Sequence, residues 1–188
     1  MTMKPTDHVL LQLLSAAINT QDPAFDRALS DSEWSLVYEQ AAKQGVLAVA
    51  WESVRRLPAD LQPARGLKLQ WAYGAEQIVS RSKKQMQEAT RFAAFCAEAG
   101  CRLILLKGIG LSRYYPFPLL RECGDIDILL PEGFEKGNEI ARSRGMRVSG
   151  LDYKHNHICS NGVMFENHRY LTSCLLYTSP SPRDMRRS

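Results

Sequence analysis

Two aspartates two residues apart, Asp125 and Asp127, stand at the head of the apolar run IDILL. Side chains alternate along a strand, so this spacing directs both carboxylates to one face. Adjacent carboxylates can share a divalent cation. Hard oxygen donors on a rigid strand suit Mg²⁺, which keeps several waters and takes its remaining ligands from substrate phosphates. A third carboxylate often polarises the attacking group, and Glu166 in FENHRYL is the candidate, as third ligand or as base. An idle acidic pair inside an apolar strand would be expensive to bury, which favours a working one.

Upstream, Lys107-Gly108 with Gly110 closes the run CRLILL just before a short helical pattern. Glycine admits a close approach, and bare backbone N–H groups at a strand-to-helix turn attract phosphate. Arg113 and Arg121 are further cations for the same task. A rival chemistry lies in KHNHICSNGVMFENHRYL. Its Asn161-Gly162 is the dipeptide favoured in two-residue type I′ hairpins. That turn pairs Ser160 with Val163, Ile158 with Phe165, His157 with Glu166 and His155 with His168. Opposed residues share a face, so three imidazoles and one carboxylate gather on one side, where they could ligate Zn²⁺. The simpler reading has His157 orienting Glu166.

The elements that must hold these groups follow from periodicity. Val9/Leu10, Leu13/Leu14 and Ala17/Ile18 recur at helical spacing over residues 7–18. Ser30 and Glu33 form a capping-box pattern for a second helix that Gly45 stops. Leu47 to Leu57 repeats the period up to Pro58, and residues 66–99 supply one further helix or two, so residues 1–100 read as a helical region. Trp34, Trp51 and Trp71 fall at helical spacing and read as core. After Cys101 the texture changes: CRLILL and IDILL are buried strands, residues 109–115 a short helix, 132–144 a helix and 146–149 a strand. The fold class is therefore α+β.

The chain has 188 residues, 45% of them hydrophobic and 23% charged, which excludes wholesale disorder. No apolar stretch reaches the roughly 20 residues of a membrane-spanning helix. The N-terminus lacks the layout of a signal peptide, so a cytoplasmic protein with no membrane partner is expected. Five scattered cysteines without a CxxC suggest reduced thiols. The net charge of +4 is small and half of it sits in the final RDMRRS, so nucleic acid is not an expected partner. From Cys174 onward CLLYTSPSPRDMRRS has no periodicity, and CLLYTSPSPRD is similar to translated sequencing-adapter ends. Residues 174–188 are expected to be a non-native, disordered tail, and the natural chain to continue beyond Ser173.

Taken together, LKG, YYPFPLLRECGDIDILLP and FENHRYL resemble the uncharacterised nucleotidyltransferase family of the polymerase β-like superfamily. The resemblance covers about residues 103–171. It implies a small mixed-sheet core over residues 101–173, Mg²⁺ bound by Asp125 and Asp127, and NTP phosphates near Lys107 and Gly108. It also implies transfer of a nucleotidyl group to an acceptor, a small molecule or a protein. Two departures stand out: Lys107-Gly108 replaces the superfamily's Gly-Ser pair, and Arg169 sits where an aromatic would follow Glu-x-His. The alternative is a non-catalytic module, derived from such a core, that binds nucleotide or a protein without turnover.

Overall fold

The computed structural model describes residues 5–23, 25, 27–150 and 154–170. The expected tail at 174–188 lies outside them. Among the described residues two compact units emerge, one drawn from 5–87 with 109–124 and the other from 88–108 with 125–170. This division differs from a linear boundary near residue 100, because the helix over 65–98 contributes residues 65–87 to one unit and 88–98 to the other.

The first unit is helical. Helix α1 spans Pro5–Ile18, α2 Asp31–Lys43 and α3 Leu47–Val54; α4 runs unbroken through Arg65–Glu98, and α5 is one turn, Ile109–Ser112. A short 3₁₀ turn, Pro118–Leu120, was not legible in the periodicity. Helix α2 begins as its sequence predicts: the Ser30 hydroxyl accepts from the Glu33 amide, and the Glu33 carboxylate accepts from the Ser30 amide at 2.8 Å. Glu33 is pulled down to about 2 by hydrogen bonds from Arg27 and from Ser30.

One helix fills residues 65–98 where one or two were expected, because Gly74 is a packing glycine and not a break. A Cβ there would lie 3.1 Å from Leu47 Cδ2, so the bare backbone lets α3 approach. The core gathers Leu13, Trp34, Val37, Ala48 and Trp71, all essentially fully buried. Trp71 meets Trp34 and Tyr38 edge to face, at 6.1 and 5.4 Å between ring centroids, and its indole N–H donates to Leu47 O at 2.9 Å.

Among the described residues the second unit holds a five-stranded mixed sheet in the order β1-β2-β5-β4-β3. Its strands are β1 Ile104–Leu105, β2 Ile126–Leu129, β3 Arg147–Ser149, β4 His155–Ser160 and β5 Val163–His168, with helix α6 at Phe134–Ser143. Strands β2 and β5 are parallel and the other neighbours antiparallel. The α+β reading and the small mixed sheet both hold.

The expected buried strand over CRLILL shrinks to two residues, and Ile104 is 42% exposed. Being at the sheet edge, β1 has β2 as its one strand neighbour among the described residues. Helix α6 starts two residues later than expected, because the Glu132 carboxylate turns to the Arg102 amide and guanidinium, each at 3.0 Å.

The hairpin register matches the one the Asn161-Gly162 turn dictates, pair for pair. Both turn residues have positive φ, 50° and 77°, as a type I′ turn requires. One face of the sheet carries Ile126, Ile128, Ile158 and Phe165, all fully buried, and Phe92 of α4 meets Phe165 edge to face at 5.4 Å. On the same face Asn138 of α6 accepts from Asn156 at 2.8 Å and from Asn167 at 3.1 Å. Asn156 and Asn167 are cross-strand partners. A one-residue slip of the hairpin would leave these amides facing the wrong side, so the network locks the register.

The hairpin tip is clamped by Glu88 of α4, which accepts from Asn161 at 2.9 Å, Ser160 at 2.9 Å and Arg91 at 2.6 Å. Burial alone pushes the Glu88 carboxyl up, but the three hydrogen bonds and the Arg91 charge outweigh it and hold the group below its usual value. A carboxyl depressed in the folded state stabilises above its unfolded pKa, and that contribution disappears as the pH falls through the folded one. Urea unfolding should therefore find Glu88→Gln less stable than the parent at about pH 7, with the gap closing toward about pH 3. A gap independent of pH would show that the charge on Glu88 plays no part.

Candidate active site

The opposite face of the same sheet carries the carboxylates and imidazoles. Alternation along β2 buries Ile126 and Ile128 on the inner face and turns Asp127 to the other. In the parallel pairing Asp127 lies beside Glu166, and in the hairpin Glu166 lies opposite His157 and His155 opposite His168. Three strands thus bring Asp127, Glu166, His155, His157 and His168 onto one face.

Asp127 is the best shielded of them, its side chain 3% exposed, and burial of a lone carboxylate at that depth would be costly. Two cationic or donor groups offset the cost. Lys107 Nζ sits 3.0 Å from Asp127 Oδ1, and His168 Nε2 sits 2.9 Å from the same oxygen. Lys107 is raised above its ordinary value, first by its hydrogen bond to Asp127 and then, against a smaller burial penalty, by the charges of Asp127, Asp125 and Glu166. Its side chain is 58% exposed, so the ammonium stays charged and reachable.

Asp127, Glu166 and His168 offer ligand atoms that all lie within 4.8 Å of one another. His168 Nε2 is 3.5 Å from Glu166 Oε2. Asp125 lies in a bend immediately before β2, half-buried, and is not a member of this close set, although it adds to the field on Lys107. Strand periodicity begins at Ile126, so it does not by itself fix where the Asp125 carboxylate points.

Gly108 takes up φ +55°, the left-handed region that favours glycine, directly after Lys107. Gly110 and Arg121 belong to the helical unit. Gly110 lies inside the single turn α5. Arg121 lies over the Tyr115 ring at 5.8 Å and donates to Cys123 Sγ at 3.1 Å. The site residues that one unit brings together are therefore Lys107, Gly108, Asp125, Asp127 and Glu166.

Sequence reasoning missed the direct bond of His168 to Asp127. The signal was present in the hairpin register, which puts His168 two residues from Glu166 on the same face. What was lacking was the strand order, since nothing in the sequence says that β5 pairs with β2.

Among the described residues no helix is long and apolar enough to cross a membrane. A family model described as "Uncharacterised nucleotidyltransferase" matches residues 30–187. Comparisons with curated proteins and with solved structures returned no match.

Proposed function

The chain belongs to the uncharacterised nucleotidyltransferase family, and on that footing we propose that it moves a nucleotidyl group from a nucleoside triphosphate to an acceptor in a Mg²⁺-dependent reaction. The observation that carries this reading is the placement of Asp127 beside Glu166 on the parallel strands β2 and β5, with Lys107 at hydrogen-bonding distance from Asp127.

The donors suit the ion. Asp127 and Glu166 are hard oxygen ligands within reach of each other, and Asp125 adds its charge to the field on Lys107. When bound, Mg²⁺ neutralises triphosphate charge and acts as a Lewis acid at phosphorus-bound oxygen.

The chain's own residues do the rest. Lys107 presents a persistent positive charge to the phosphates, and Gly108 opens the backbone beside it. His168 donates to Asp127 and fixes the orientation of its carboxylate. Glu166 serves as third ligand or as the base that receives the acceptor proton. Gly110 and Arg121 are proposed phosphate contacts on sequence grounds alone. The acceptor is a small molecule or a protein, in keeping with the small and scattered excess of positive charge. A cytoplasmic setting agrees with the free thiols of Cys96, Cys101, Cys123 and Cys159.

Calorimetric titration with ATP is the test. Binding should require Mg²⁺ and weaken in Lys107→Ala, and label from α-labelled ATP should pass to an acceptor fraction. Heat that is the same with and without Mg²⁺, and untouched by Lys107→Ala, would sink the reading.

A further inference from the structure

The two oxygens of Glu166 face different neighbours. Oε2 looks toward His168, 3.5 Å away, on the Asp127 side. Oε1 lies 3.8 Å from His155 Nε2 and 3.8 Å from His157 Nε2. His155, His157 and Glu166 form a second group whose ligand atoms all fall within 4.8 Å of one another.

We propose that Glu166 Oε1, His155 and His157 form a binding site for a borderline divalent transition-metal ion such as Zn²⁺, distinct in ligand chemistry from the carboxylate side that faces Asp127. Two imidazoles and one carboxylate are the ligand types that zinc favours over magnesium, which takes oxygen. Zinc bonds to nitrogen and oxygen of about 2.0–2.2 Å in a tetrahedron place neighbouring ligand atoms about 3.3–3.5 Å apart. The two imidazole-to-carboxylate distances need to contract by only about half an ångström to reach that.

The scaffold holds the ligands in advance. His155 and His157 are two apart on β4, and Glu166 is the cross-strand partner of His157, so the hairpin ladder sets all three on one face. Gly150 backs the His157 ring: a Cβ there would lie 3.2 Å from His157 Nδ1, so the bare backbone gives the ring room on that side. The Nε2 atom is thereby left toward Glu166. The His157 side chain is 41% exposed, which gives an ion a route in. A three-ligand set with room for water also matches the open coordination of non-structural zinc sites.

The site stands whether or not the chain transfers nucleotides, because its test uses Zn²⁺ alone. Titration of the purified chain should show one zinc bound per chain, with affinity falling by about 100-fold or more in His157→Ala, at least the upper end of what loss of an outer-shell partner costs. Zinc binding should persist in Asp127→Asn, the variant that removes the proposed magnesium side, so failure of one proposal is separable from failure of the other. Cobalt loaded into the unmodified chain provides a readout independent of variant folding. The visible d–d bands of a tetrahedral nitrogen and oxygen site are expected, without a thiolate charge-transfer band in the near ultraviolet. No zinc uptake, equal affinity in the parent and a folded His157→Ala, or a thiolate band assigning the ion to cysteine would each overturn the proposal.

Discussion

Asp127→Asn is expected to lower the rate of label transfer by about 10³-fold, the equivalent of about 4 kcal/mol of lost charge stabilisation at the reacting phosphate. The substitution keeps the shape of the side chain and removes its charge, so the effect is electrostatic. It is also expected to leave the fold nearly as stable as before. Of its two partners, Lys107 is 58% exposed and is rehydrated by solvent, and His168 can still donate to the amide oxygen that replaces the carboxylate; pairs with one well-solvated member contribute about 1 kcal/mol or less. Initial rates of transfer measured beside thermal unfolding curves check both halves of the expectation. A variant that melts with the parent and transfers label at the parental rate would remove Asp127 from the reaction.

The second large effect is on stability and comes from the other face of the same strand pair. Phe165 on the hairpin is fully buried, and it meets Phe92 of α4 edge to face at 5.4 Å. Phe165→Ala should cost about 3–5 kcal/mol through lost burial and the cavity left behind. That is a large share of the 5–15 kcal/mol that typically separates a folded domain from its unfolded chain. Phe165 immediately precedes Glu166, so loosening of its packing also frees the strand that carries the third carboxylate. Phe165→Leu fills most of the space and should cost less than about 1.5 kcal/mol. Denaturant midpoints at constant slope would check the series. Equal midpoints for the Ala and Leu variants would mean that the inner face is not packed as described.

The residues differ in how much they announced. The hairpin was fully legible, because Asn161-Gly162 permits two positive φ angles and a period of two then leaves one register that puts Ile158 and Phe165 inside. The start of α2 was legible for a similar reason: a capping box is a contact between residues three apart. The edge strand at Ile104–Leu105 was overread, since an apolar run looks the same whether it has neighbours on both sides or one. The Asn138, Asn156 and Asn167 network and the Glu88 clamp were not anticipated. Each joins residues far apart in the chain, and an asparagine in a sequence does not reveal whether it will be buried.

The same distinction runs through the site. Local patterns alone established the α+β class, the turn at Asn161-Gly162, the shared face of His155, His157, Glu166 and His168, and a family likeness concentrated in LKG, GDIDILLP and FENHRYL. These rest on interactions among near neighbours, whose geometry the backbone repeat dictates. The pairing of β2 with β5, the descent of Lys107 and His168 onto Asp127, and the split of the Glu166 oxygens between two environments emerged only in the folded chain. They depend on which strands lie side by side, and that choice is made by the burial of Ile126, Ile128, Ile158 and Phe165 in one layer, a collective preference that no short stretch of residues encodes.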